Sequence, residues 1–419
     1  MSEATTPPPP PAATAPGTGA ATEELERPDA LRNPLRALRE GELGEVRVLI
    51  ALALIWIFFQ IRVEGGIFLE AQNLTNLSLQ IAAVGTVSIG ITLILFLGEI
   101  DLSVGSVAGF CAATMTVLSV KHGWSPLLAI GAAVALGALI GMLHGLVVTF
   151  FGIPSFVVTL AGLIGWQGAQ LKVLGETGTI NLPFPGRITD IAFTFYSDTV
   201  GIVLALIGIA LVWGTGLNTR RKRSAAGLDP GDFRLFLLKS VAVTAAILWA
   251  VFGVFNANRG VPLAPLILLV LVIVFAFTMG RSRFGRLVYA VGGNEEAARR
   301  AGIKTKRVKV AVFTLASALA AAGGVLLASR LQAVGQDTAG GDFLLLAIAG
   351  PVVAGVSLFG GRGTIWAALL GALVMGSISN GMDLLELDSP TKFMITGGVL
   401  LAAVVLDAAT SRKRATASR

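Results

Sequence analysis

One cysteine, Cys111, in 419 residues excludes an intrachain disulfide, and two histidines leave little with which to build a zinc site. The chain has no GxxxxGK[ST] run, so the loop that cradles nucleotide phosphates in P-loop ATPases is missing. It also lacks an HExxH pair, a nucleophile elbow and a dinucleotide fingerprint, which leaves an enzyme reading without a motif. Only 14% of the residues are charged. The net charge of +7 is not a nucleic-acid footprint, because the basic residues fall in particular loops rather than in a basic domain with interleaved aromatics.

The chain is instead rich in apolar residues, 54% of the total, with a mean hydropathy of +0.79. That exceeds what a soluble core of this length needs and points to a bilayer. Runs of about 20 apolar residues mark spans near 48–63, 78–97, 102–120, 126–150, 153–173, 198–215, 237–255, 262–279, 308–329, 343–358, 364–382 and 391–408. The expected fold is an all-α polytopic membrane protein of about 12 transmembrane helices, within a range of 10 to 12, with both termini cytoplasmic. Charge tests this order, since cytoplasmic loops carry the excess of Lys and Arg. Most of the 32 basic residues fall before the first run, in the loops expected at 216–236 and 280–307, and after the last run. The organisation is then a Pro-, Ala- and Thr-rich cytoplasmic tail over 1–44 expected to be disordered, a membrane domain over 45–410 and a basic cytoplasmic tail over 411–419.

The stretch Phe284 to Ile303 is a charged element in a basic loop between two apolar runs. Asn294 is placed to cap a helix, Glu295/Arg299 and Glu296/Arg300 have the favourable Glu-first spacing, Ala297 and Ala298 favour helix, and Gly302 can end it left-handed. The element is either a docking helix or a solvated connector. Gly98-Glu99-Ile100-Asp101-Leu102-Ser103-Val104-Gly105 places two carboxylates between apolar runs, where ionised groups are costly unless capped, paired or hydrated. Either Asp101 or Ser103 caps the following helix, or the segment takes part in gating.

Gly360-Gly361-Arg362-Gly363 reads as a tight cytoplasmic turn, with Arg362 able to pair with a partner or with lipid phosphate. Asn380, Asp383, Glu386 and Asp388 surround an outer loop that either meets a docking protein or is simply solvated. Trp166, Gln167 and Gln170 offer an aromatic face and amides, either for a polyhydroxylated solute or for packing. His144 is expected to hydrogen-bond between helices, and Gly137, Gly141 and Gly145 to allow close helix packing.

Four blocks resemble the ribose/xylose-type permease family of ATP-binding-cassette sugar importers. They are NLTNLSLQIAAVGTVSIGITLIL before GEIDLSVGS, then GIPSFVVTLAGL, then SRFGRLVYAVGGNEEAARRAGI, then GVSLFGGRGTIWAALLGALVMGSISNGMDLL. The resemblance runs from about Asn73 to Asp407. Glu99 in place of the ribose-type glycine, and the added basic loop and apolar segment from Arg220 to Phe255, resemble the xylose-type subgroup.

The resemblance implies a non-catalytic permease in the bacterial cell (inner) membrane with no cofactor of its own: ATP and Mg are used by a separate cytoplasmic ATPase. It also implies an extracytoplasmic sugar-binding protein, a second permease copy forming a homodimer, and xylose or another pentose as substrate. The run Glu296-Ala297-Ala298 with Gly302 resembles the loop by which such permeases engage their ATPase, without the downstream ending of the maltose-type class. A proton- or sodium-coupled secondary sugar transporter, using Glu99 and Asp101 in its pathway, is the rival reading. On the importer reading, Glu296→Lys reverses one acidic charge on the docking face. The expected outcome is weaker copurification of the ATPase; unchanged copurification and transport would remove the docking role.

Overall fold

The computed structural model describes residues 44–417. Residues 1–43 of the tail expected over 1–44, and residues 418–419, lie outside the described residues. The first five helices are α1 (Gly44–Arg62), α2 (Ala71–Phe96), α3 (Val104–Thr116), α4 (Pro126–Phe151) and α5 (Ser155–Leu174). They are followed by α6 (Asp198–Ala225), α7 (Phe233–Leu248) and α8 (Leu263–Arg281). Two short helices come next, α9 (Arg283–Gly293) and α10 (Glu295–Arg300). The chain closes with α11 (Thr305–Leu331), α12 (Gly341–Val353), α13 (Trp366–Leu384) and α14 (Ser389–Ala417). A π-helical turn prolongs α3 through Lys121, and another prolongs α7 through Phe255.

Each expected span falls on a helix, but among the described residues nine helices are long and apolar enough to cross a membrane. The clearest shortfall is the segment expected at 343–358. Its helix, α12, holds 13 residues, about 20 Å at 1.5 Å per residue and short of the roughly 30 Å hydrocarbon core. Gly355, at φ 91°, takes the backbone out of the helical region just beyond Val353.

Helix α2 is the central post. Every residue from Gly85 to Phe96 is buried, as befits a helix apolar on all sides. Its hydroxyls are satisfied internally: Thr86 and Thr92 donate to the carbonyls four residues back, and Ser88 donates to Ala347 O on α12 at 3.0 Å. Around it pack α8, α11, α12 and α13. Helix α11 in turn lies against α3 and α4.

These contacts are backbone against backbone. A methyl group on Gly141 of α4 would collide with the Phe313 carbonyl of α11, and one on Gly137 would lie 2.6 Å from Ser317 O. On an adjacent side of α11, a methyl on Gly90 of α2 would lie 2.8 Å from Ala316 O. The small-residue packing expected of the Gly137, Gly141 and Gly145 series is therefore present, and it lets dispersion act at short range where lipid supplies no hydrophobic drive.

Two small antiparallel sheets tie helix ends together. β1 (Thr179–Asn181) pairs with β4 (Ala333–Gly335), and β2 (Phe195–Tyr196) with β3 (Val261–Pro262). Helices α6 and α7 form a peripheral hairpin joined by Trp213 Nε1 donating to Thr244 Oγ1 at 3.1 Å, with apolar faces left exposed. Helix α1 is held to α13 by Trp56 Nε1 donating to Ser377 Oγ at 2.9 Å.

Gly141→Ala tests the backbone contact. It should lower thermal stability by about 1–3 kcal/mol because the α4–α11 pair must spread. Gly131→Ala, on the same helix with nothing within 4 Å, should be neutral or gain up to about 1 kcal/mol from helix propensity. Equal behaviour of the two variants in detergent melts would refute the packing account.

Candidate functional site

The loops that carry the charged and glycine-rich motifs come from three distant parts of the sequence, yet meet at one end of the bundle. After α2, Gly98 turns the chain at φ 72°. After α12, Gly360 and Gly361 do the same at φ 85° and 69°, confirming the tight turn. Gly361 N donates to Phe96 O at 2.9 Å, and a methyl on Gly360 would meet Gly292 O at 2.6 Å. Tyr289 on α9 lies tilted against Phe96 with ring centroids 4.8 Å apart and donates its hydroxyl to Gly363 O at 3.0 Å. Burial pushes the Tyr289 phenol above its ordinary pKa, which keeps it a neutral donor. Arg362 stands exposed at the tip of the turn.

The charged element expected over 284–303 is two helices with a sharp corner between them. Ser282 caps α9 by accepting from Gly285 N at 3.1 Å. Asn294 caps α10, accepting from Ala297 N at 2.9 Å, as the sequence predicts. At the far end Gly302 stands at φ 82°, Gly302 N donates to Arg299 O and Ile303 N to Ala298 O, each at 3.0 Å. This pair of bonds is the Schellman closure. Ala298 is buried and anchors the helix, while Asn294, Glu296, Ala297, Arg299 and Arg300 form its exposed face.

The expected ion pairs need one correction. Glu296 does pair with Arg300, at 3.1 Å, and also holds Arg299. Glu295 does not pair with Arg299. It turns toward the bundle and meets Lys309 of α11 at 2.7 Å, and the same ammonium meets Glu99 at 2.7 Å. Lys309 and Glu99 are only 13% and 16% exposed, so their pair is much less screened than the Glu296 pairs, whereas Glu295 is 48% exposed, about as open as Glu296. One cation thus joins the end of α2, the start of α10 and the start of α11. Lys309 was not singled out by sequence, although a cation at the edge of an apolar run calls for a counter-ion.

Beyond Glu99 the chain is pinned to α5: Ile100 N donates to Ser155 Oγ and Leu102 N to Thr159 Oγ1, both at 3.1 Å. Asp101 is 4% exposed, and its Oδ1 accepts from Ser103 N at 2.8 Å and Ser103 Oγ at 2.6 Å. Burial pushes the Asp101 carboxyl above the usual carboxylate range. Ser103 occupies the cap position of α3 but its side chain makes no capping bond: its backbone lies in the helical region, φ −85° and ψ −11°, not the extended region a cap needs, and its hydroxyl is turned back toward Asp101. Neither residue caps α3 in the expected way; the two close a local turn ahead of it.

His144 bridges helices as expected. Trp166 Nε1, a donor only, reaches His144 Nε2 at 3.0 Å, so that nitrogen accepts, and Nδ1 faces Ser103 Oγ at 3.4 Å. Gly105 lies apart from the loop junction, where a methyl would meet Ala339 O at 2.8 Å.

Trp166, Gln167 and Gln170 do not form one face. Trp166 stacks on Phe110 with ring centroids 5.7 Å apart. Gln170 is 2% exposed and its Nε2 is shared among Gly335 O, Gln336 O and Thr338 O at 2.9 to 3.3 Å, so it fastens the turn after β4. Gln167 alone points outward. Four residues separate Trp166 from Gln170, which puts both inside, whereas Gln167 is turned about 100° from Trp166 on a helix of 3.6 residues per turn. On the opposite end of the bundle, Asn380 is buried and exchanges amide bonds with Asn73 at 2.9 and 3.1 Å, leaving Asp383, paired with Lys392 at 2.6 Å, nearer the surface.

A family described as "Branched-chain amino acid transport system / permease component" matches residues 73–404. The chain belongs to this permease family. Over 383 residues the permease is 36% identical to the xylose transport system permease protein of Haemophilus influenzae, covering 90% of this chain and 99% of that one. It is 34% identical over 369 residues to the xylose permease of Escherichia coli K12, covering 88% and 93%. The ribose import permease of Bacillus subtilis is 31% identical over 340 residues, covering 81% and 86%. No solved structure matches. The match spans the four motif blocks and places the permease in the ribose/xylose-type branch, a multi-pass membrane protein.

The Lys309 bridge predicts an asymmetric mutational response. Lys309→Met leaves two carboxylates facing each other and should cost the permease about 1–3 kcal/mol of thermal stability. Adding Glu99→Gln should return part of that loss. Additive losses in the double variant would show that the bridge does not exist in solution.

Proposed function

We propose that the permease forms the solute path of an ATP-driven importer for a monosaccharide, with xylose or another pentose as the cargo. The observation that carries this reading is α10: an exposed, doubly capped, charged helix whose first residue, Glu295, meets Lys309 of α11, the same ammonium that holds Glu99 at the end of α2. A solvated connector needs no such bridge. A separate cytoplasmic ATPase docking on the exposed face from Asn294 to Arg300 would bear on a helix mechanically joined to the bundle. ATP and Mg would be held by that partner, and this chain would contribute conformational work through a two-state equilibrium.

Twelve crossings, with both termini cytoplasmic, fit the way helix ends associate. Gly98, Lys309, Gly292 and Gly360 gather at one end; β1 with β4, Asn73 with Asn380, and Asp383 with Lys392 gather at ends reached after an odd number of crossings. In that arrangement the basic loops face the cytoplasm. An extracytoplasmic sugar-binding protein would deliver cargo to the opposite face, and a second copy of the permease would complete the path. The choice of sugar rests on the relatives, two of which are named as xylose permeases and one as a ribose permease.

Vesicles containing the permease, the ATPase and the binding protein should take up labelled xylose with ATP inside and no ion gradient, and should require both partners. Preferred uptake of ribose would change the cargo but keep the mechanism. Uptake driven only by an imposed proton or sodium gradient would replace this reading with that of a secondary transporter.

A further inference from the structure

The hairpin of α6 and α7, which the ion-pair junction does not use, carries a second built site. The last turns of α6 present Thr215, Asn218, Thr219, Lys222 and Arg223, spaced by three and four residues and so set on one side of the helix. With Arg281 from the end of α8, and with Leu228 folded over from the connecting loop, they line a cavity of about 250 Å³. No carboxylate lines it. The nearby acids are spent on the backbone, Asp229 accepting from Gly231 N at 2.9 Å and Asp232 from Arg234 N at 2.8 Å. Arg220 keeps the loop in shape, lying 5.3 Å and 5.5 Å from the Phe233 and Phe236 ring centres and donating to Pro230 O at 3.1 Å.

Cations at the C-terminal ends of two helices also offset the helix dipoles, but that role needs no cavity and no particular surroundings. The surroundings here are specific. Above Arg281 on its own side of α8 run Phe277, Val274 and Val270, all exposed, with Arg281 lying 5.8 Å from the Phe277 ring centre. Above Thr215 on α6 run Leu211 and Ile207, also exposed. The two helices make no extensive contact with each other. Two apolar stripes therefore lead into one pocket with three cations at its base. The threonine hydroxyl protons are already used, Thr215 on Leu211 O and Thr219 on Thr215 O, so Lys222, Arg223, Arg281 and the Asn218 amide are the donors left for a ligand.

We propose that this pocket binds the phosphodiester headgroup of an anionic membrane phospholipid, whose acyl chains lie along the exposed stripes of α6 and α8. The shared chemistry with a free phosphate is the oxyanion; the apolar stripes commit the site to the lipid. The assignment is independent of which solute the permease carries.

Native mass spectrometry of the full chain, delipidated and titrated with phosphatidylglycerol, phosphatidylcholine or inorganic phosphate, tests it. The wild type should retain one phosphatidylglycerol that phosphatidylcholine and phosphate do not displace. The variant K222Q/R223Q/R281Q should lose that affinity by roughly two orders of magnitude, given the cost of about a kilocalorie per cation. The charge-keeping variant K222R/R223K/R281K should retain it, which separates loss of the site from loss of the fold, and Arg187→Gln serves as a distant charge control. Equal retention by wild type and the glutamine variant, or displacement of the lipid by inorganic phosphate, would overturn the proposal.

Discussion

Close approach of helix backbones is the constraint on which the rest of this permease depends. In lipid, side chains gain little by leaving the solvent, so helices must be held by short-range contact and by polar groups that find partners. Gly137 and Gly141 bring α4 onto the carbonyls of α11, and Gly90 brings α2 onto the neighbouring carbonyl of Ala316. The loop junction extends the same principle beyond the helices: Gly98, Gly292, Gly360 and Gly361 let three chain segments touch through their backbones. A side chain at any of these points would force the segments apart, and the partners of Lys309 would separate with them.

Polar groups then do a second task, that of joining elements that glycine has brought together. Lys309 is the clearest case, because it answers two carboxylates from different parts of the chain while remaining largely shielded from water. Ser155 and Thr159 take up the backbone between Glu99 and Ser103, and Tyr289 closes the turn after α12. The result is a junction in which one ammonium joins the start of α10 to the end of α2, the most buried of the long apolar helices. That is the property a coupling element needs, and an exposed loop without the bridge would lack it.

Much of this was legible in the sequence. Apolar runs located the helices because burial in lipid and burial in protein leave the same local signature, and the caps at Asn294 and Gly302 follow from backbone chemistry that acts within a few residues. What local pattern could not show was which way a side chain turns once helices pack. Glu295 has a favourable partner in Arg299 on its own helix, yet a less exposed cation 14 positions along the chain competes for it and wins. Gln170 looked available to a solute because its amide is polar, whereas three carbonyls after β4 use it up. Ser103 had the right identity to cap α3, but its backbone is already helical and its hydroxyl is turned back to donate to Asp101. In each case a contact set by tertiary structure displaced the nearest sequence neighbour. The strands β1 and β4, 154 positions apart at Thr179 and Ala333, carry no sequence signal for their pairing.

The central claim is that Glu99, Lys309 and Glu295 make α10 part of the bundle rather than an appendage. Hydrogen–deuterium exchange of the wild type and Glu99→Gln, read peptide by peptide, tests this most directly. The account predicts faster exchange over residues 292–303 and 97–103, with β1 and β4 unchanged. Unaltered exchange over 292–303, or an equal rise throughout the chain, would contradict it.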